Sequence, residues 1–345
     1  MIRSMLAVIC ALAVVGRADC AQPGRENPAA PVGEGRFSLM FWNVENFFPP
    51  GQMEGKHWSR GRFRTKCNAV AKTILLAGDA YGRLPDIVAF AEVGDRSVLK
   101  ALISNTQLYK LDYAIVHYDS PDHRGIDCAL LYRRTRFRLE SSKPCPLYDS
   151  TGAVMPTRDI LLAVFGEGEE RLAVLVNHHP SKVGAGSETR RKTAMARLHG
   201  LVDSLRAEGI SRIMAVGDFN EEIPDAEGVS RGDDTPGTIK FQGKWEKIDG
   251  CPVLEGLQAT EHVFAAPHLT EKDATYGGMK PRRAFSGPRY LAGVSDHYPL
   301  YFEVSELFRT FEGYNRNNEK QESNYEKVSS SYNRNSIRRI RTLRL

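Results

Sequence analysis

Two short segments carry most of the chemistry that this chain could perform. Gly217-Asp218-Phe219-Asn220 follows an apolar run (Ile213, Met214, Ala215, Val216), and Ser295-Asp296-His297 lies just before the last apolar stretch, Tyr298–Val304. An acid with an amide at one strand end, and an acid with an imidazole at another, bring base, brace and proton donor to one rim. That is the equipment for attack of water on a phosphate ester with a hard metal ion in support. Either segment alone is commonplace.

Five further segments offer compatible groups. Phe41-Trp42-Asn43-Val44-Glu45-Asn46 closes a strand, and period-two alternation would set Asn43 and Glu45 on one side of it. Taken alone it is an ordinary polar turn. Glu92 ends the apolar run Ile87–Ala91, either as a solvated terminus or as a rim carboxylate of the kind that suits Mg²⁺, a cation of oxygen donors. In Arg124-Gly125-Ile126-Asp127, Gly125 permits a tight turn, Arg124 could fork a phosphate, and Asp127 is read as structural, pairing with a basic neighbour. His178 follows a strand and is crowded by Asn177, His179, Ser181 and Lys182, a set suited to charge on a phosphoryl oxygen. Asp249, closing Trp245-Glu246-Lys247-Ile248-Asp249, is a candidate to hold one ring nitrogen of His297 so that the other faces substrate.

These groups need a rigid frame, and the pattern supplies one. The chain has 345 residues, 41% of them hydrophobic, enough for a large core. Short apolar runs at Phe37–Asn43, Ile87–Ala91, Tyr113–His117, Ala129–Tyr132, Leu172–Asn177, Ile213–Gly217 and Tyr298–Val304 read as strands. Arg62–Ala77 and Glu188–Arg206 read as helices, the second with Ala194, Leu198, Leu201 and Leu205 at helical spacing. The mixture predicts an α/β protein whose helices cover sheet faces, with functional groups on loops at strand ends.

The flanks differ from this body. Arg3 followed by the apolar run Met5–Val15 and small residues at Gly16 and Ala18 reads as an export signal over residues 1–20, too short to span a membrane. Residues 21–36, rich in Pro and Gly, read as a linker, and residues 37–305 as the folded domain. Residues 312–345 carry Asn, Ser, Tyr and Arg and read as a disordered basic tail. Export puts the mature chain in the periplasm or outside the cell. Lipidation at Cys20 is disfavoured, because Arg17-Ala18-Asp19 lacks the apolar and small residues such a site prefers. Cys67, Cys128, Cys145 and Cys251 show no metal-site spacing and are read as buried thiols, with one disulfide open as an alternative. The formal net charge of +5 argues little for nucleic acid, since Arg338, Arg339, Arg341 and Arg344 crowd the tail.

In this order the segments resemble the endonuclease/exonuclease/phosphatase superfamily, of the exonuclease III and deoxyribonuclease I type, and within it exported bacterial members with an Asn-His-Trp-Pro-Ser motif. The likeness runs from about Phe37 to Val304 and is most specific at Gly217–Asn220, Asn177–Ser181 and Ser295–Pro299. It implies a four-layer α/β sandwich, two mixed β-sheets face to face with helices outside. It also implies Mg²⁺, with Mn²⁺ as a substitute, and hydrolysis of phosphate esters. Carried over by position, Glu92 would be the main metal ligand, helped by Asn43, Glu45 and Asp296. Asp218 would orient and deprotonate water, braced by Asn220. His178 would donate to a non-bridging oxygen, and His297, held by Asp249, would support the developing charge. Arg124, Ser181 and Lys182 would contact substrate. Two positions depart from the pattern: His179 stands where such relatives carry Trp, and Lys182 where they carry Arg.

The resemblance fixes reaction type better than substrate. Arg282, Arg283 and Arg289 near Asp296, and Arg190, Arg191 and Lys192 after His178, fit a polyanion, and equally a solvated face. A nuclease-like phosphodiesterase acting on DNA or RNA as a monomer leads. A phosphoesterase for lipid head groups or small phosphorylated molecules comes second. A catalytically inactive binding module is the rival of another class, and the intact set of acids and imidazoles argues against it.

Overall fold

The computed structural model describes residues 35–167, 170–184 and 186–307. The expected signal, nearly all of the expected linker and the expected tail lie outside the described residues. So does Cys20.

Two mixed sheets form the body. The larger has seven strands in the order β3-β4-β2-β1-β18-β13-β9. These are β1 (Arg36–Phe47), β2 (Ile87–Val93), β3 (Tyr113–His117), β4 (Asp127–Arg133), β9 (Val229–Arg231), β13 (Leu257–Val263) and β18 (Leu300–Glu306). The smaller has five in the order β12-β8-β7-β6-β5, namely β5 (Arg138–Cys145), β6 (Ile160–Glu167), β7 (Glu170–His178), β8 (Arg212–Asp218) and β12 (Asp249–Glu255). Three small hairpins decorate one end: β10 (Ile239–Phe241) with β11 (Lys244–Glu246), β14 (Thr270–Lys272) with β15 (Met279–Pro281), and β16 (Phe285–Ser286) with β17 (Arg289–Tyr290).

Strand alternation builds the layers. On β7, Leu172, Val174 and Val176 enter the main core between the sheets, while Ala173 and Leu175 point the other way, into a second cluster. β6 and β8 divide alike: Leu161, Ala163, Phe165, Met214 and Val216 against Leu162, Val164, Ile213 and Ala215. The second cluster is closed by helix α3 (Ser187–Ala207) through Ala194, Leu198, Leu201, Val202 and Leu205. Helix α1 (Arg60–Ala80) covers the large sheet with Cys67, Val70, Ile74 and Ala77. A period of two on strands and a helical stripe on α1 and α3 therefore yield helix, sheet, sheet, helix. Each fully buried Leu, Ile, Val or Phe contributes about 1.5–3 kcal/mol, so this double core dominates the stability.

The expected α/β sandwich is the fold observed, of the deoxyribonuclease I type. Both expected helices are present, extended by a few residues. Five strands of the two sheets were not anticipated, β5, β6, β9, β12 and β13, nor were the six hairpin strands or helix α2 (Arg96–Ser104). The last strand starts at Leu300 and not Tyr298, because the Tyr298 amide donates to the Thr238 carbonyl beside the β10 hairpin (2.8 Å). The four cysteines 67, 128, 145 and 251 are buried free thiols.

Candidate active site

Register places three site residues on neighbouring strands. β7 and β8 are parallel with His178 opposite Asp218, and β8 and β12 are antiparallel with Asp218 opposite Asp249. β7 and β8 can approach this closely because Gly217 has no side chain: a Cβ there would lie 2.4 Å from the Asn177 carbonyl oxygen. The fourth group arrives from the large sheet. His297 is fixed by its own carbonyl, which accepts from Trp42 Nε1 (3.0 Å), and by its amide, which donates to Ser295 Oγ (3.0 Å). Ser295 Oγ in turn donates to the Asn43 carbonyl (2.6 Å).

The result is a buried proton-handling floor. His297 Nδ1 meets Asp249 Oδ2 at 2.8 Å, and its Nε2 lies 3.8 Å from Asp218 Oδ2. His178 Nε2 lies 3.6 Å from that same oxygen, which also accepts from Asn43 Nδ2 (2.9 Å). Asp218 Oδ1 accepts from the Asn220 amide (2.9 Å), while Asn220 Nδ2 donates to the His179 carbonyl (2.9 Å), so Asn220 braces both loops.

Burial sets the charges. The Asp218 carboxyl is raised by desolvation and by the neighbouring Asp249 charge, with His297 and Asn43 opposing. Desolvation would lower His297, but Asp249, by charge and hydrogen bond, and then Asp218 carry it well above its ordinary value. His178 goes the other way, pushed well down by burial and by Arg158 and Arg124. One imidazole is thus cationic and the other neutral, a few ångströms apart across one carboxylate.

The carboxylate rim is built on strained backbone. Glu45, Asn46, Glu92 and Asn220 all have left-handed φ (47°, 51°, 64° and 53°), at a cost of about 1–2 kcal/mol each for residues with a Cβ. The bulge between Asn43 and Phe47 breaks the expected alternation, so Asn43 and Glu45 do different jobs. Asn43 turns to Asp218. Glu45 Oε1 accepts from Arg283 Nε and Nη2 (3.1 and 2.8 Å), and its Oε2 from the Ala284 amide (3.1 Å). Glu92 Oε2 accepts from the Asn46 amide (2.8 Å) and from Arg124 Nη2 (3.3 Å). Beneath them Lys66, from α1, is buried and donates to the Glu45 carbonyl. Burial lowers its ammonium to about 8 against the pull of Glu45, Glu92 and Asp296.

Several expected substrate contacts are engaged elsewhere. Lys182 pairs with Glu246, and Ser181 is exposed, its hydroxyl accepting from the Val183 amide (3.3 Å). Arg191 is buried against Glu221 (3.1 Å) and the Ser181 carbonyl (3.3 Å). Arg124 stays at the rim, bound to Glu92 and to Asn46 Oδ1 (3.0 Å). Asp127 pairs with the imidazole of His117 (3.2 Å) and accepts from the amide and hydroxyl of Ser120. His179 is buried edge-on to Phe219, its imidazole lowered to about 3 by burial, Arg158 and Arg191.

Three residues were not anticipated in the roles they hold. Arg158 pairs with Asp122 (3.2 Å) and donates to the His179 carbonyl (2.5 Å), anchoring the loop after His178. Lys66 supports the strained bend. Arg283, read in sequence only as part of a basic cluster, joins Glu45 to Asp296 (Nη2 to Oδ2 3.1 Å).

Oxygen donors dominate the rim, which fits a hard divalent cation. Among the described residues no hydrogen bond reaches Glu92 Oε1 or Asp296 Oδ1, so these two atoms are free to hold one. Asp218, Asp249 and His297 also bring ligand atoms within 4.8 Å of one another. The 2.8 Å bond between His297 and Asp249 marks that group better as a relay than as a cation cage.

A two-sheet sandwich with an acid–imidazole centre and a carboxylate rim at one end defines a phosphoesterase class. Residues 42–240 and 233–306 match the sequence profile of the Endonuclease/Exonuclease/phosphatase family. The chain belongs to that family and is a phosphoric ester hydrolase. Solved structures of similar fold include an endonuclease/exonuclease/phosphatase family protein from Bacteroides thetaiotaomicron (15% identity, TM-score 0.54, 79% of this chain and 98% of that one). A mannosyl-6-phosphatase of the same organism is similar too (15% identity, TM-score 0.53, 78% and 99%). So is TDP2 from Caenorhabditis elegans (16% identity, TM-score 0.52, 79% and 74%). No curated protein matches the chain in sequence.

Proposed function

We propose that this chain is an exported, Mg²⁺-dependent phosphoesterase in which Asp218 activates the attacking water. The observation that carries the reading is the register of His178, Asp218 and Asp249 across three strands, with His297 Nδ1 bonded to Asp249 at 2.8 Å. Asp218, raised by burial, orients water and takes its proton. Neutral His178 donates to a phosphoryl oxygen, and cationic His297 offsets charge that develops on the phosphorus oxygens. Glu92 and Asp296 would hold the cation, which supplies Lewis-acid polarisation of the phosphate. Mn²⁺ would serve in its place.

A nuclease-like diesterase is one substrate reading. A small phosphorylated molecule is favoured by a specific observation: three of the basic groups that might have lined a polyanion groove are internally satisfied. Arg191 serves Glu221, Lys192 pairs with Glu188 four residues earlier, and Arg282 donates to the Leu291 carbonyl (2.9 Å). Export rests on the apolar run Met5–Val15 behind Arg3. Among the described residues no helix is long and apolar enough to cross a membrane.

The test is a hydrolysis panel of plasmid DNA, RNA, phospholipids, sugar phosphates and bis-p-nitrophenyl phosphate, with and without EDTA. Hydrolysis of at least one ester, lost on chelation and restored by Mg²⁺ or Mn²⁺, is expected. Full activity after exhaustive chelation would refute metal dependence. N-terminal sequencing of protein from the native host checks export, and recovery of Met1 would refute a cleaved signal.

A further inference from the structure

Arg283 sits where it has little freedom to be elsewhere. The Arg282 amide donates to the Leu269 carbonyl (2.7 Å), and the Arg282 carbonyl accepts from the Val294 amide (2.8 Å). Gly293 is pressed against this segment so closely that a Cβ would lie 2.1 Å from the Arg282 carbonyl oxygen and 2.4 Å from that of Arg283. The backbone is therefore locked, and it aims the guanidinium at two carboxylates at once. Nε and Nη2 share Glu45 Oε1, and Nη2 also reaches Asp296 Oδ2 at 3.1 Å. The Glu45 side chain is 5% exposed, whereas that of Arg283 is 46% exposed.

One cation thus bridges two carboxylates, its inner edge buried in them and the remainder open. A divalent ion placed between Glu45 and Asp296 would do the same. We propose that Arg283 takes the place of a second metal ion, so that the site works with one divalent cation and one guanidinium. The inference rests on the phosphoesterase reading and deepens it. In two-metal phosphoryl transfer the paired cations stabilise the attacking and leaving oxygens. A guanidinium supplies fixed charge and planar donors to a phosphate oxygen, with no octahedral shell to complete. The arrangement also explains why Glu45 is saturated by protein donors while Glu92 and Asp296 each keep an open oxygen.

The experiment is a Mn²⁺ titration of the metal-stripped full chain by calorimetry and electron paramagnetic resonance, with melting curves alongside. One Mn²⁺ per chain is expected for the wild type and for Arg283→Lys, which keeps the charge. Arg283→Met frees Glu45 and Asp296 and should bind two. Turnover of Arg283→Met on its best ester should fall about 100-fold, as for a lost electrostatic catalyst, and added guanidinium ion should restore part of it. A purely structural arginine would give neither the second ion nor the rescue. Two ions in the wild type, or one ion of unchanged affinity in Arg283→Met, would overturn the proposal. If Arg283→Met does not melt cooperatively, the same counts are read on Arg283→Gln. Should no ester be hydrolysed by the wild type, the phosphoesterase reading fails, while the ion count still decides the role of Arg283 in binding.

Discussion

The two sheets deliver different halves of the site. The small sheet contributes His178 and Asp218 from an unbroken parallel register and Asp249 from an antiparallel one that shifts only beyond Gly250, and these groups are buried. The large sheet contributes Asn43, Glu45 and Glu92 from a bulged strand end and left-handed backbone, and the carboxylates are tied to half-exposed arginines. Proton transfer gains from desolvation, which separates the protonation states of neighbouring groups, so its residues sit buried between the sheets' strand ends. Cation binding needs carboxylates that can change partners, so those residues sit where backbone strain and exposed arginines hold them ready.

The largest effect is expected at the proton-transfer centre, where His297 from the large sheet joins the small-sheet acids. Asp249→Ala and His297→Ala should each lower turnover by about 10²- to 10⁴-fold, the scale of a lost acid–base catalyst. The double variant should be little worse than His297→Ala alone, because groups that act as one unit are strongly non-additive. Penalties that multiply would mean that the 2.8 Å contact is incidental.

A second comparison separates the halves by readout. Glu92→Gln should weaken Mn²⁺ binding, measured calorimetrically, by at least about 10-fold, the lower end of the effect of disturbing a metal shell. His297→Ala should leave that affinity nearly unchanged. Equal losses would merge the two regions into one.

A third, smaller effect is one of pH on stability, read from melting temperatures without metal. His178 is held below its ordinary value of 6.5, so the unfolded chain binds the proton more readily. Its contribution therefore falls as pH drops below about 6.5 toward its folded value. His297 lies above 6.5, so its contribution is full below that pH and is lost as pH rises through the raised folded value. His178→Gln should flatten the acid side of the wild-type profile, and His297→Gln the opposite side. Matching slopes in the two variants would contradict the assigned charges. The smallest effect is expected at Lys182→Ala, an exposed lysine paired with the half-buried Glu246: a change in turnover of no more than a few-fold, set by initial rates.

How much of this was legible in sequence depended on how local each cause is. β2, β3, β7 and β8 announce themselves through apolar runs ended by Glu92, His117, His178 and Asp218. β5 and β13 do not, since Arg138–Cys145 is largely polar and exposed and Leu257–Val263 is broken by Gln258, Thr260, Glu261 and His262. β6, Ile160–Glu167, is apolar enough, but such a run is indistinguishable by periodicity from a short buried helix. The motifs placed Asp218, Asp249 and His297 together because each sits at a strand end. The saturation of Glu45 by Arg283 spans 238 positions, and no local pattern reports a contact made by folding. The same holds for Lys66, which looks like any surface lysine of a helix until α1 docks on the sheet.

The most direct test of the account is turnover by Asp218→Asn, an isostere that cannot take a proton from water, measured on the best ester of the panel with a melting curve and a Mn²⁺ titration on the same sample. The account predicts a folded protein that still binds the ion and has lost about 10²- to 10⁴-fold in kcat, with KM little changed. A folded, ion-binding Asp218→Asn protein with near wild-type kcat would contradict it.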